Sequence, residues 1–192
     1  IDNSTSSKIF DQYLDTLDPG RAYFLAADLQ LLDKQYRFKL DEALKQGNLQ
    51  PAFKIFNLFQ KRAIDRINYL VEILNEGLEK LDFTRDEELE IDRKQAPWAV
   101  NRTEIDDLWR RRLKASVLSM MLAGKDLAET QETLGKRYKN RLKQMNQTTS
   151  EDAFQLYINS FTSTYDPNTQ YFSPRNSENF NITMSLSLQG IG

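Results

Sequence analysis

The chain has 192 residues, enough for one ordinary domain or two small ones, and its 40% hydrophobic and 28% charged residues suit a globular protein with a real core rather than a disordered one. A net charge of −2 argues against a surface built wholly for nucleic acid. With no histidine and no cysteine, Cys–His and Ser–His–Asp catalysis are excluded within the chain, and a zinc site would have only carboxylates to draw on.

In chain order, Ser4-Thr5-Ser6-Ser7 offers caps for a first helix whose apolar face is Ile9, Phe10, Tyr13, Leu14 and Leu17. Asp18-Pro19-Gly20 breaks it, since proline cannot continue a helix and glycine permits the turn. A second helix starts near Ala26 or Asp28, carries Leu29, Leu32, Tyr36, Leu40 and Leu44 on one face, and has Gly47 placed to follow its last turn. Pro51 sits in the first turn of a third helix, where its missing N–H costs nothing. Phe53, Phe56, Phe59, Ala63, Ile67, Leu70 and Leu74 form a long apolar stripe on it. Unbroken to Leu81 this helix would be about 45 Å long, with Gly77 as a point of fraying or termination.

Asp82 to Asn101 is the longest interruption, with an alternating Glu88-Leu89-Glu90-Ile91-Asp92 and a turn at Ala96-Pro97-Trp98. Its acid run (Asp86, Glu87, Glu88, Glu90, Asp92) lacks the calcium-loop pattern and reads as a solvated face. Thr103, with Asp106, then caps a fourth helix that buries Ile105, Leu108, Trp109, Leu113, Val117, Met120 and Met121, up to Gly124. Asp126 with Glu129 opens a fifth through Leu127, Leu134, Tyr138, Leu142 and Met145. Thr149 or Ser150 opens a sixth, with Phe154, Tyr157, Ile158 and Phe161 inward. The expectation is an all-α, irregular bundle of about six helices over residues 1–164, without a regular repeat. The longest apolar run, Ser116 to Ala123, is far short of the roughly 20 residues of a membrane span. Nothing at the N-terminus resembles a signal peptide, and a chain beginning with Ile reads as processed or trimmed.

Residues 165–181 read as a connecting loop. Asp166-Pro167-Asn168-Thr169-Gln170-Tyr171-Phe172 echoes Asp18-Pro19-Gly20-Arg21-Ala22-Tyr23-Phe24, a turn solution used twice: Asp-Pro ends a helix and Tyr-Phe anchors the exit. Ser173-Pro174-Arg175-Asn176 reads as a capped helical turn. From Ile182, apolar Met184, Leu186 and Leu188 alternate with Thr183, Ser185, Ser187 and Gln189, the clearest strand pattern in the chain. A lone strand leaves its backbone unpaired, so this one calls for a sheet supplied beyond Gly192 or by another chain.

The stretches "SSKIFDQYLDTLDPGRAYFLAADL", "DRKQAPWAVN" and above all "DPNTQYFSPRNSENFN" followed by "MSLSLQGIG" resemble the N-terminal region of the tail-specific, or carboxyl-terminal processing, proteases. That resemblance implies a helical N-terminal domain, then a PDZ domain whose first strand is 182–192, then a serine protease domain with a Ser–Lys dyad. No residue here matches the dyad, so the chain itself is expected to be non-catalytic and to need no cofactor. The implied parent is a periplasmic, Gram-negative endoprotease that recognises nonpolar C-termini of proteins. The implied partners are its own PDZ and protease domains, protein substrates with nonpolar C-termini and a helical-repeat lipoprotein adaptor, with no nucleic acid. Asp166, Pro167, Tyr171, Pro174, Arg175, Met184, Leu186 and Leu188 are the candidate structural or interface residues.

Two other readings stand beside this one. The basic runs Trp109-Arg110-Arg111-Arg112-Leu113-Lys114 and Lys136-Arg137-Tyr138-Lys139-Asn140-Arg141-Leu142-Lys143 fit either solvated helix faces or a helical nucleic-acid-binding module. Phe53, Phe56 and Phe59 with Met120-Met121 fit either core or the groove of a free-standing, peptide-binding adaptor.

Overall fold

A computed structural model describes residues 3–166, 168–178 and 181. The helices are α1 (Asn3–Leu17), α2 (Ala26–Tyr36), α3 (Leu40–Lys45), α4 (Gln50–Glu76), α5 (Arg102–Leu122), α6 (Leu127–Gln147) and α7 (Ser150–Thr162), with a short 3-10 turn at Leu78–Lys80. Among the described residues the fold is all-α; the nearest approach to a sheet is an isolated parallel bridge between Leu25 and Ala99. The expected strand from Ile182 lies outside the described residues.

α4, about 40 Å long at 1.5 Å per residue, is the central post, and α3, α5, α6 and α7 pack on it. α1 closes the other side of α7 and α3. The stripe on α4 is core: Phe56, Phe59, Ala63, Ile67, Leu70 and Leu74 are buried. Burying each of these larger apolar side chains contributes roughly 1.5–3 kcal/mol. Gly77 stops the helix with φ +107°, a conformation that a residue with a Cβ rarely adopts. The helix therefore does not continue to Leu81. Tyr23 and Phe24 meet Phe59 at ring separations of 5.4 and 5.9 Å, and Tyr23 meets Trp109 at 5.3 Å. These rings join α4, α5 and the loop after α1.

The second expected helix is two helices. Ser6, inside α1 and fully buried, donates its Oγ–H to Arg37 O at 2.7 Å and accepts Leu40 N–H at 3.0 Å. One hydroxyl thus satisfies a carbonyl at the end of α2 and an amide at the start of α3, and residues 37–39 form a turn instead of helix. Phe38 is left on the surface. Ser6 is therefore not a cap of its own helix, as its position near the N-terminus suggested.

Two further differences are local. The cap of α5 is Asn101, whose side chain accepts Glu104 N–H at 3.0 Å, while Glu104 returns a bond to Val100 N–H at 2.8 Å. The cap thus lies two residues before the expected one, Thr103. Met121 is 42% exposed rather than core, because α5 buries Leu113 and Val117 and its last turn projects past the bundle. The capping boxes of α6 (Asp126, Glu129) and α7 (Thr149, Asp152) are formed as their sequences indicate.

Candidate functional site

α7 has two faces. Ala153, Tyr157 and Ser160 are buried. Asp152, Gln155, Asn159 and Thr162, spaced three and four residues apart, share another stripe. The chain turns back at Asp166 and runs antiparallel along that stripe, making a contact near each helical turn. Thr162 Oγ1 donates to Thr169 O at 3.1 Å. The Asn159 amide holds both backbone groups of Tyr171: Oδ1 accepts its N–H at 2.6 Å, and Nδ2 donates to its carbonyl at 3.0 Å. Gln155 Oε1 accepts Ser173 N–H at 2.9 Å and Asn176 Nδ2–H at 2.8 Å. Arg175 lies 3.7 Å from Asp152. Each neutral hydrogen bond adds about 0.5–1.5 kcal/mol, and together they lock an otherwise irregular segment into one register.

The turn that starts this return is made by Asp166. Its carboxylate accepts Asn168 N–H at 2.9 Å and Thr169 Oγ1–H at 2.8 Å. Those donors, the Asn168 backbone N–H first, hold its pKa below the ordinary carboxylate value. Tyr171 packs edge-on against Phe154 at 5.5 Å. Ser173, 1% exposed, accepts Asn176 N–H at 3.3 Å, and a helical turn over 174–178 follows with Pro174 at its first position. The capped helical turn expected at Ser173 is thus formed within the segment that joins on to α7.

Of the candidates that the sequence singled out, Asp166, Tyr171, Pro174 and Arg175 come together on or beside α7, while Pro167, Met184, Leu186 and Leu188 lie outside the described residues. The residues that sequence reasoning missed are the receiving ones: Asp152, Gln155, Asn159 and Thr162. The sequence carried no separate signal for them, because a polar stripe at this spacing is what any surface helix presents.

The echo of this turn at Asp18 shows the same device buried. Asp18, 1% exposed, accepts backbone N–H groups from Ala22, Tyr23 and Phe24 at 2.8, 2.9 and 3.1 Å. Burial raises its pKa against those bonds. Tyr23 and Phe24 enter the core, whereas Phe172 is 39% exposed.

The other candidate features are mostly structural. The first basic run faces the protein: Trp109 is buried and donates Nε1–H to Ala22 O at 2.6 Å, and Arg110 and Lys114 both hold Glu87. Glu87 is 9% exposed at its side chain, so the acid run is not simply a solvated face. Arg110 first and Lys114 second bring the Glu87 pKa down to about 2. Phe56 and Phe59 are core, leaving only Phe53 and Phe56 at the edge of a 250 Å³ hollow between α4 and α7. Among the described residues, no three His, Cys, Asp or Glu side chains are grouped to hold a metal, and no helix is long and apolar enough to cross a membrane. The arrangement holds residues 168–178 against one stripe of α7.

Comparison with known proteins returns two concordant findings. Residues 1–175 match the family described as tail specific protease N-terminal domain. The whole chain is 36% identical over 192 residues to a protein named tail-specific protease from Haemophilus influenzae (strain ATCC 51907 / DSM 11121 / KW20 / Rd), and it spans 27% of that relative's length.

Proposed function

Since the chain belongs to the tail-specific protease N-terminal domain family, we propose that it is the non-catalytic helical domain of a periplasmic serine endoprotease that acts on proteins with nonpolar C-termini. The observation that carries this reading is the coincidence of the family match, which runs to residue 175, with the segment 168–178 docked on α7. A domain that pins its own exit is suited to holding further domains in a fixed relation. In this reading a PDZ domain and a protease domain with a Ser–Lys dyad follow, and the bundle packs around them, helping to enclose substrate and to bind a helical-repeat lipoprotein adaptor.

The test uses the longer protein that carries this chain, with unfolded substrates identical except for a nonpolar or a charged C-terminal tail. Preferential cleavage of the nonpolar-tailed substrate, abolished by serine substitution in the dyad, is expected. Cleavage without regard to the tail, or no proteolysis, would overturn the reading.

A further inference from the structure

A second concave feature lies between α5 and α6, away from the docked segment. It is a cleft of about 540 Å³, inside the size range of ligand pockets. Arg112, Arg137 and Arg141 line it, together with Tyr23, Tyr138 and Met120 among others, and none of its lining residues is acidic. Among the described residues none of these three cations has a carboxylate within salt-bridge distance. Arg137 is exposed and has no carboxylate partner among the described residues. Arg141 donates to the Tyr23 hydroxyl and lies 5.9 Å from that ring. Arg112 is half-buried, 5.1 Å over the Trp109 ring, and burial followed by the nearby Arg93 lowers its pKa. The carboxylate whose charge reaches Arg112 is Asp18, which already accepts three backbone N–H groups. Gly20 leaves Arg112 its room, since a Cβ there would sit 3.3 Å from Nη2.

We propose that this cleft binds a short acidic peptide segment of a second polypeptide, its carboxylates on Arg112, Arg137 and Arg141 and its apolar side chains on Leu89 and Met120. The planar guanidinium forks match carboxylates in paired hydrogen bonds. Apolar walls between the cations suit a peptide better than a bare phosphate chain, and the net charge of −2 works against nucleic acid. Residues 179–192 contain no Asp or Glu, so no acidic side chain of that segment supplies the anions. The inference rests on the cleft alone and stands or falls separately from the protease reading.

The experiment is fluorescence anisotropy of the 192-residue chain with labelled, C-terminally amidated Gly-Leu-Glu-Glu-Phe-Glu-Leu-Gly. Saturable micromolar binding is expected, weakened about tenfold or more in R137Q/R141Q and with Gln in place of Glu in the peptide. Lys139→Gln, on the same helix outside the cleft, should bind as the parent does. R137Q alone, at an exposed side chain without structural bonds, should weaken binding several-fold with an unchanged circular dichroism spectrum. The proposal is overturned by no saturation up to ~1 mM peptide, by R137Q/R141Q binding like the parent, or by inorganic phosphate or a short DNA duplex competing better than unlabelled peptide.

Discussion

Ser6 and Glu87 carry consequences out of proportion to their size. The Ser6 hydroxyl serves both Arg37 O and Leu40 N–H in a site closed to water. Ser6→Ala strands both groups and should cost about 1–3 kcal/mol, read as a lower urea midpoint. A loss under ~0.5 kcal/mol would mean that water or a rearranged turn replaces the hydroxyl. Glu87 predicts an acid dependence. Its pKa falls from the usual 4.5 to about 2 because Arg110 and Lys114 bind the charged form. An unfolded chain binds that proton at higher pH, so the stabilisation is present above about 4.5 and is lost as pH falls from there towards 2. The urea midpoint of the parent protein should therefore exceed that of Glu87→Gln near neutral pH, and the gap should close across that window; a gap independent of pH would contradict it. Neither role was legible from sequence. Ser6 reads as a local cap and Glu87 as one member of an acid run, because their partners lie 31 and 23 residues or more away.

At the level of elements, the apolar stripes of α1, α4, α5 and α6 were legible, since period and burial coincide there. The break at 37–39 was not, since the apolar period of α2 runs on into α3 and a side chain of α1 makes the break. The return along α7 was half legible. Asp166-Pro167 and Ser173-Pro174 announce turns, but nothing local says that Asn159 will hold Tyr171 by both backbone groups. Asn159→Ala should leave the bundle's unfolding midpoint within about 0.5 kcal/mol of the parent, because the contact lies outside the core. It should speed hydrogen exchange at the Tyr171 amide roughly tenfold, the equivalent of one lost hydrogen bond. Unchanged exchange at that amide would show that the other contacts hold the segment without Asn159. A core change on the central post separates the two effects: Leu70→Ala, at a fully buried site, should cost about 2–5 kcal/mol in global stability.

Over the whole molecule, a single apolar core built around α4 carries two surface devices, the docked segment on α7 and the arginine cleft between α5 and α6. The first lies along the polar stripe of α7, and the second opens between α5 and α6. Family membership was legible because the stretch around Asp166 to Asn176 is dense in specific turn residues, whereas the cleft was seen only as two separate basic runs, and nothing in the sequence says that the packing of α5 on α6 brings Arg112 to Arg137 and Arg141. In the reading proposed above, the chain positions its neighbouring domains and leaves cleavage to them. The direct measurement is turnover of an unfolded, nonpolar-tailed substrate by the 192-residue chain alone, beside an equal concentration of the longer protein that carries it. No cleavage by the chain and efficient cleavage by the longer protein is the predicted result; serine-dependent cleavage by the purified chain would contradict it.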